Sequence, residues 1–510
     1  MLNSAMKIID DFLNGITMYR LVLYYLIFLL AVAALLSSLG TLAFSVYSLS
    51  FSTAFLLVVS LATNLSFARV FKAPTNIESA YITALILALI VSPISSFTDL
   101  PFLFWVGVLS ESSKYIIAVN KKHLFNPAAS AVALTALAIH QSASWWVGNS
   151  YMLPAVLLGG FLVVRKIRRT ELVVSFLITA LFTITAFDFS GGSNVLTGLR
   201  TAIINTPLFF LACVMLTEPL TSPPTKDLRM LYGALVGFLF APQVHLGGFY
   251  TTPELALILG NIFSYLVSPK QKLLLRLHEK VRVSADTFDY IFSPEKKIDF
   301  TPGQYLEWTL EHHSPDSRGY RRYFTIASSP TEGNIRIGVR FNPNSSSFKK
   351  SLLEMQVGNQ VMAGNLAGDF ILPKDQRKKL VFVAGGIGIT PFRSMLKYLL
   401  DKNERRDIIV LFSNRTKEEV IYQDILRSVR DNLGVKIIYT LTDLEKVPGN
   451  WLERVGRIDE AMIREEVPDF SGRIFYLSGP NRMVAGFQET LKRMGLRDEQ
   501  IIVDYFPGFA

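Results

Sequence analysis

Apolar runs recur from Tyr19 to Val267 and then cease. Ten can be counted, at 19–40, 51–70, 78–94, 102–119, 126–140, 151–164, 171–187, 201–217, 230–242 and 252–267. Each reads as a transmembrane helix, although several fall short of the roughly twenty residues a full span takes. The short ones predict half-helices or irregular segments enclosed within a bundle. No small-residue cleavage signal follows the first run, and Asp10 and Asp11 do not suit a signal peptide, so it too is read as a helix. Beyond residue 272 the pattern changes to short β-branched runs separated by charged turns bearing glycine and proline.

Composition and charge fit that division. Half of all residues are apolar and the mean hydropathy is +0.34, high for a chain with a charged unit at one end. With the N-terminus in the cytoplasm, alternate loops receive Arg69 and Lys72, Lys121 and Lys122, and Arg165, Lys166, Arg168 and Arg169. The next two receive Lys226 with Arg229 and Lys270 with Lys272, while the opposite loops hold essentially Arg200. This asymmetry predicts a multi-pass protein of the cell inner membrane with both termini cytoplasmic. It also accounts for the net charge of +10 by contact with the lipid bilayer, without nucleic acid.

Cys213 is the only cysteine and lies in an apolar run, which excludes an intrachain disulfide and a cysteine-ligated iron–sulfur cluster. His123, His140 and His245 fall at predicted helix ends or loops, which argues against a transmembrane bis-histidine haem. No metal site is expected.

Candidate chemistry concentrates late in the chain. In KKLVFVAGGIGITPFRSML (378–396), Lys379 to Ala384 is the kind of run that fills a buried parallel strand. Gly385, Gly386 and Gly388 then let the backbone turn sharply and approach a ligand closely. Thr390 is placed to cap the next helix, and Pro391 suits its first turn. A helix N-terminus opened by bare glycine backbone is a seat for pyrophosphate. Upstream, RRYFTIASS (321–329) alternates so that Arg322, Phe324 and Ile326 share one face and Tyr323, Thr325 and Ala327 the other. Such a strand offers a guanidinium and an aromatic wall to a flat, charged cofactor.

In that order and spacing the two strings resemble the ferredoxin–NADP reductase superfamily, over residues 272–510. The resemblance implies an antiparallel β-barrel FAD domain over 272–376 and a Rossmann-like α/β NAD(P) domain over 377–510. It implies that Arg322, Phe324, Thr325 and Ser328 hold the flavin of FAD. NSSSFKKSLL (344–353) is similar to the helix that meets the FAD pyrophosphate, offering Ser346, Ser347 and Phe348. Gly385, Gly386, Gly388, Thr390 and Pro391 would hold the nicotinamide dinucleotide. FTPGQYLEW (300–308) and GDF (368–370) are similar to the strand leading to the flavin and to the closure of the barrel. FYLSGPNRMVAGF (475–487) is similar to the strand and loop beside the nicotinamide, with Gly479, Pro480, and Ser478 where many relatives carry cysteine. DYFPGFA closes the chain where the family sets an aromatic against the flavin ring, so Ser478, Tyr505 and Phe506 are the expected shapers of the nicotinamide–flavin stack. In LFSNRTKEE (411–419), Ser413 and Arg415 could hold a 2′-phosphate, which favours NADPH over NADH, although Arg415 reads equally as a solvated loop charge.

Two strings in the apolar half are unusual for plain anchors: NKKHLFNPAASAVALTAL (120–137) and MLTEPLTSPPTKDLRMLYGALVG (215–237). Irregular backbone at membrane depth lines a cavity or ligand site, or simply ends helices at proline. With LLGGFLVVRKI (157–167) between them, they resemble one family, the homologous NqrB and RnfD proteins, which are membrane components of the Na⁺-translocating NADH:quinone oxidoreductase and of the Rnf complex. That resemblance spans residues 20–267 and implies an all-α polytopic domain over 1–268, with ten helices and bound flavin. The family's flavinylated threonine has no counterpart in HQSASWWVGNSYM (140–152), which offers Ser142, Ser144 and Ser150, and Thr197 and Thr201 lie in another context. A flavin here would therefore be noncovalent FMN or riboflavin. Trp145 and Trp146 suit either stacking on a flavin or quinone or an interfacial belt. Glu111 and Lys114 suit a structural pair or a proton or cation relay.

Together these readings predict a membrane-bound, FAD-containing NAD(P)H oxidoreductase. Electrons would pass into the membrane half, to a quinone, a bound flavin or an extracytoplasmic acceptor. Two alternatives remain: a redox-driven Na⁺ or H⁺ transporter component, and a reductase whose helices anchor it and dock partner redox subunits.

Overall fold

A computed structural model describes residues 9–10, 12–13, 16–71, 77–119, 122–268, 273–313, 315–316 and 320–504. The chain divides into two compact units at Lys272 and Leu273.

In the first unit every one of the ten apolar runs contains a helix. These are α1 (Met18–Ser38), α2 (Val46–Val70), α3 (Ile77–Ile90), α4 (Leu100–Ile116), α5 (Pro127–Ile139) and α6 (Leu153–Ile167). There follow α7 (Thr170–Ser190), the bent pair α8 (Val195–Ile204) and α9 (Leu208–Met215), then α10 (Lys226–Phe240) and α11 (Pro253–Val267). Three of them, α1, α2 and α7, are long and apolar enough to cross a membrane; α8 and α9, bent by 55°, make a fourth if they act as one span. Proline accounts for much of the shortening. Pro127 and Pro253 start α5 and α11, and Pro207 sits at the α8–α9 break, where its missing N–H interrupts helical bonding.

Small residues let these helices approach closely. A Cβ on Gly233 would lie 2.6 Å from the Leu172 carbonyl, and one on Gly237 2.5 Å from that of Phe176, so α10 packs backbone-close against α7. Trp145 and Trp146 are turned inward, which corrects the belt reading. Trp145 is buried at a φ of 50° and donates its indole N–H to Glu254 at 2.9 Å. Trp146 donates to the Ala88 and Val91 carbonyls at 3.0 Å, satisfying the open end of α3.

The second unit holds two sheets. Strands β1 (Leu273–Arg282), β2 (Thr287–Pro294), β3 (Tyr305–Thr309), β4 (Arg321–Thr325), β5 (Ile335–Arg340) and β6 (Gln360–Ala367) are antiparallel in the order β4-β3-β6-β1-β2-β5. The sheet curls until Ala327 N–H donates to the Arg336 carbonyl at 2.7 Å, joining its two edges. Inside lie Leu277, Tyr290, Phe292, Leu306 and Trp308, plugged by Phe348 and Leu352 of the helix α12 (Ser347–Glu354).

The other sheet is parallel: β7 (Leu380–Gly385), β8 (Ile408–Asn414), β9 (Lys436–Leu441), β10 (Arg454–Val455), β11 (Ile474–Ser478) and β12 (Ile501–Val503), in the order β10-β9-β8-β7-β11-β12. Every residue of β7 is buried, as its unbroken apolar run requires for a strand covered on both faces. Because the chain order reverses between β7 and β11, a crevice opens beyond their carboxyl ends, the position in which such sheets bind ligands.

Candidate functional site

The two glycine-bearing loops meet in that crevice. β7 ends at Gly385 and passes through a tight turn, Gly386–Ile389, into the helix α13 (Thr390–Lys402). Gly386 takes a φ of +54°, a region that favours glycine. A Cβ on Gly388 would stand 2.4 Å from the Ser478 carbonyl oxygen, so this turn and the Ser478–Gly479–Pro480 loop touch through backbone. The cap expected of Thr390 is not formed. Its hydroxyl donates to the Ile387 carbonyl at 3.1 Å, because the tight turn runs directly into the helix and Ile389 is the capping position. Pro391 lies in the first turn.

Beside this turn, Ser478 donates its hydroxyl to Asp504 Oδ2 at 3.0 Å. Burial pushes the Asp504 carboxyl up to about 7, while the hydroxyls of Ser478 and Thr325 pull in the opposite direction. Asp504 thus links the end of the flavin-type strand β4 to the end of β11. The sequence reading missed it; its signal is an acid immediately after the last strand of a parallel sheet, at the ligand edge. Tyr505 and Phe506 lie outside the described residues.

A second group of expected residues converges near α12. Arg322 is 2% exposed, bonds Asp316 Oδ1 at 3.1 Å and lies 5.4 Å from the centre of the Phe348 ring. Ser347 N–H donates to Asp316 Oδ2 at 3.1 Å, so a guanidinium and a helix N-terminus converge on one carboxylate. Ser346 caps α12, and Ser347 Oγ stands 2.9 Å from His312 Nε2. Phe324 stacks at a tilt on Phe348, 5.9 Å between ring centres. Of these residues, His312, Asp316, Ser346 and Ser347 line an open cleft of about 740 Å³, together with Lys350, Glu311 and Glu354. Such a site, anion-seeking at one end and aromatic beside it, fits FAD.

Two expected site residues are engaged with partners inside the protein. Ser328 is fully buried, its hydroxyl donating to the Asn334 carbonyl at 2.8 Å and accepting from Arg336 N–H at 3.0 Å, so it braces the β4–β5 connection. Arg415 stands on the surface after β8, paired with Glu419 at 3.0 Å.

In the first unit the two irregular strings form one polar cluster. Glu218 accepts from Asn126 Nδ2 at 2.9 Å and Thr221 Oγ1 at 3.1 Å, with His123 Nε2 3.3 Å away. Asn261 Oδ1 receives Asn126 N–H at 2.9 Å, and its amide donates to the Tyr232 hydroxyl at 3.0 Å. A crevice with room for about one water opens among His123, Thr221, Asn261 and Ser264.

The fold and these sites define the second unit as an FAD- and NAD(P)H-dependent oxidoreductase module of the ferredoxin reductase type. Residues 382–489 match the oxidoreductase NAD-binding domain, and residues 146–271 match the NQR2, RnfD, RnfE family, whose membrane-type domain makes this a membrane protein. Among curated relatives, the flavohemoprotein of Rhodopirellula baltica is 26% identical over 243 residues, 45% of this chain and 59% of that protein. The glycine betaine monooxygenase reductase subunit of Chromohalobacter salexigens is 26% identical over 222 residues, 42% of this chain and 60% of that protein. The chain thus spans roughly three-fifths of the length of these relatives. Among solved structures, the Amycolatopsis cytochrome P450 reductase GcoB is 22% identical over 47% of this chain and 70% of that one, with a TM-score of 0.42.

Proposed function

We propose that this protein takes electrons from NAD(P)H at the β7–β11 crevice and delivers them to an acceptor held by its helical unit. The observation that carries this reading is the meeting of the Gly386–Ile389 turn, the Ser478 loop and Asp504 at one switch point, with the Arg322–Ser347 cleft in the same unit. Arg322, Ser346 and the α12 N-terminus bind the FAD phosphates, and Phe324 gives an aromatic surface. Gly386 leaves its turn open to the nucleotide, and Gly385 and Gly388 let that turn and the Ser478–Pro480 loop close on each other. Ser478 and Asp504 orient the nicotinamide edge, and Tyr505 and Phe506 cover the flavin. When bound, FAD accepts a hydride and can release its two electrons singly, so a two-electron donor can serve a one-electron acceptor.

All ten apolar runs are read as segments of an inner-membrane domain with both termini cytoplasmic. Support comes from basic residues gathered at the junction of α6, α7 and α10, where Arg165 pairs with Asp10 and Arg229 with Glu171, each at 2.8 Å or less. The acceptor is a quinone or a noncovalent FMN or riboflavin. It meets the Asn126–Glu218–Asn261 cluster, the one place singled out by both irregular strings, once the Leu220–Tyr265 side widens.

Counting flavins in the detergent-purified protein, with and without acid precipitation, tests this. One releasable FAD, with reduction of added quinone by NAD(P)H, is expected for direct quinone reduction, and a second releasable flavin for a flavin relay. Reduction of soluble dyes alone, with no second flavin and no quinone turnover, would reduce the helices to an anchor.

A further inference from the structure

The helical unit contains a second buried polar site, where α2 packs against α4. On α2, Leu56, Ser60 and Asn64 recur every fourth residue, and on α4 Gly107, Glu111 and Tyr115 do the same, so each set forms one stripe. A Cβ on Gly107 would lie 2.8 Å from Val59 and 3.7 Å from Leu56, fixing the contact at one end. At the other, the Tyr115 hydroxyl donates to Asn64 Oδ1 at 2.7 Å. The stripes therefore run in the same direction, and by their four-residue repeat Ser60 falls between these two contacts on one helix, as Glu111 does on the other.

Among the described residues, three polar atoms on this seam have no hydrogen-bond partner at ordinary distance: Ser60 Oγ, Asn64 Nδ2 and Glu111 Oε2. The Thr83 hydroxyl near Glu111 is committed to the Ser79 carbonyl. Ser60 and Glu111 are 0% exposed and Asn64 is 3% exposed. Native proteins rarely leave such groups unsatisfied, so three on facing stripes indicate a ligand. The set mixes donors with an acceptor. An amide N–H₂ and a hydroxyl can donate, and a carboxylate oxygen can only accept, which suits water and a proton better than a metal cation.

We propose that the α2–α4 seam is a proton-holding site, in which a water joins Ser60, Asn64 and Glu111, and the Glu111 carboxylate binds and releases the proton. The charged and titratable neighbours support this assignment. On α4 itself, Lys114 Nζ bonds Glu111 Oε1 at 2.8 Å, and Tyr115 is committed to Asn64. From α3, Ser79 offers Lys114 both its carbonyl and its hydroxyl at 3.3 Å, while the Thr83 hydroxyl beside Glu111 donates to the Ser79 carbonyl. Glu78 stands at the start of α3, 3.8 Å from Arg20. From α2 the facing groups are the neutral Ser60 and Asn64, α5 carries no titratable side chain, and the short strand packed on α4 brings His123, whose Nε2 stands 3.3 Å from Glu218. Uptake of one proton forms an O–H bond at Oε2 and cancels the carboxylate charge. Lys114 then keeps the two Ser79 oxygens, so the ammonium is never stranded.

Acid-minus-base difference infrared spectra of the detergent-purified full chain, recorded in H₂O and D₂O, test the assignment. A protonated-carboxyl band that shifts in D₂O, disappears in Glu111→Gln and moves in Ser60→Ala is expected. Ser60→Ala removes one small group, and retention of NAD(P)H-driven ferricyanide reduction verifies that it folds. A spectrum that neither substitution changes overturns the proposal. So does a band that appears on exchanging K⁺ for Na⁺ at fixed pH and is lost in Glu111→Gln, because the seam would then be a cation site.

Discussion

Ser478 and Asp504 are joined by a 3.0 Å hydrogen bond across the carboxyl ends of β11 and β12, beside the β7–β11 step at which the parallel sheet reverses its strand order. The carboxyl is held at about 7 by burial, against 3.8 for the free side chain. Folding therefore favours its protonated form. The associated stability is fully present below pH 3.8 and is lost as pH rises through about 7. Asp504→Asn should flatten the thermal stability of the protein across that window. It should also remove an inflection near neutrality from the pH profile of NAD(P)H-dependent dye reduction. An unchanged inflection in the variant would assign the titration to another group.

Gly388→Ala places a methyl group 2.4 Å from the Ser478 carbonyl, and neither backbone can yield freely. Overpacking of this kind costs about 1–3 kcal/mol. The expected result is a KM for the nicotinamide nucleotide raised roughly tenfold or more, with the FAD content of the purified protein unchanged, because the cleft at α12 is untouched. Loss of FAD along with nucleotide binding would mean that the two sites are coupled.

Arg322→Leu removes the guanidinium that now shares Asp316 with the α12 N-terminus and that would pair with the FAD phosphates. Hydrogen bonds to charged groups contribute about 1.5–3 kcal/mol, so FAD should bind roughly ten- to a hundredfold more weakly, read by gel filtration and flavin absorbance. Lysine is a poor substitute, because it cannot reproduce the planar fork that now grips Asp316 and covers the Phe348 ring.

The surface ion pair of Arg415 with Glu419 decides nucleotide preference only if Arg415 leaves it for a 2′-phosphate. Glu419 has a second partner in Arg340, at 2.9 Å, so it is not left unpaired by that exchange. Arg415→Ala should raise KM for NADPH about tenfold and leave NADH unaffected, an exposed charge-assisted contact being worth about 1 kcal/mol or a little more. Equal KM changes for both nucleotides would return Arg415 to the role of a solvated loop charge.

What the sequence determined by itself is local and periodic. Unbroken apolar runs located helices at all ten places in the first unit, and glycine after a β-branched run located the Gly385–Thr390 turn, because these signals depend on neighbours within a few residues. Tertiary structure decided what depends on convergence. It brought Asp504 to Ser478 and Asp316 to Arg322, spent the Ser328 hydroxyl on the backbone, and turned both tryptophans inward to satisfy Glu254 and the end of α3. It brought the helix stripes that carry Ser60 and Glu111 together across some fifty residues of chain. A hydrogen bond reaches only about 3 Å, and sequence periodicity does not record which surfaces come within that reach.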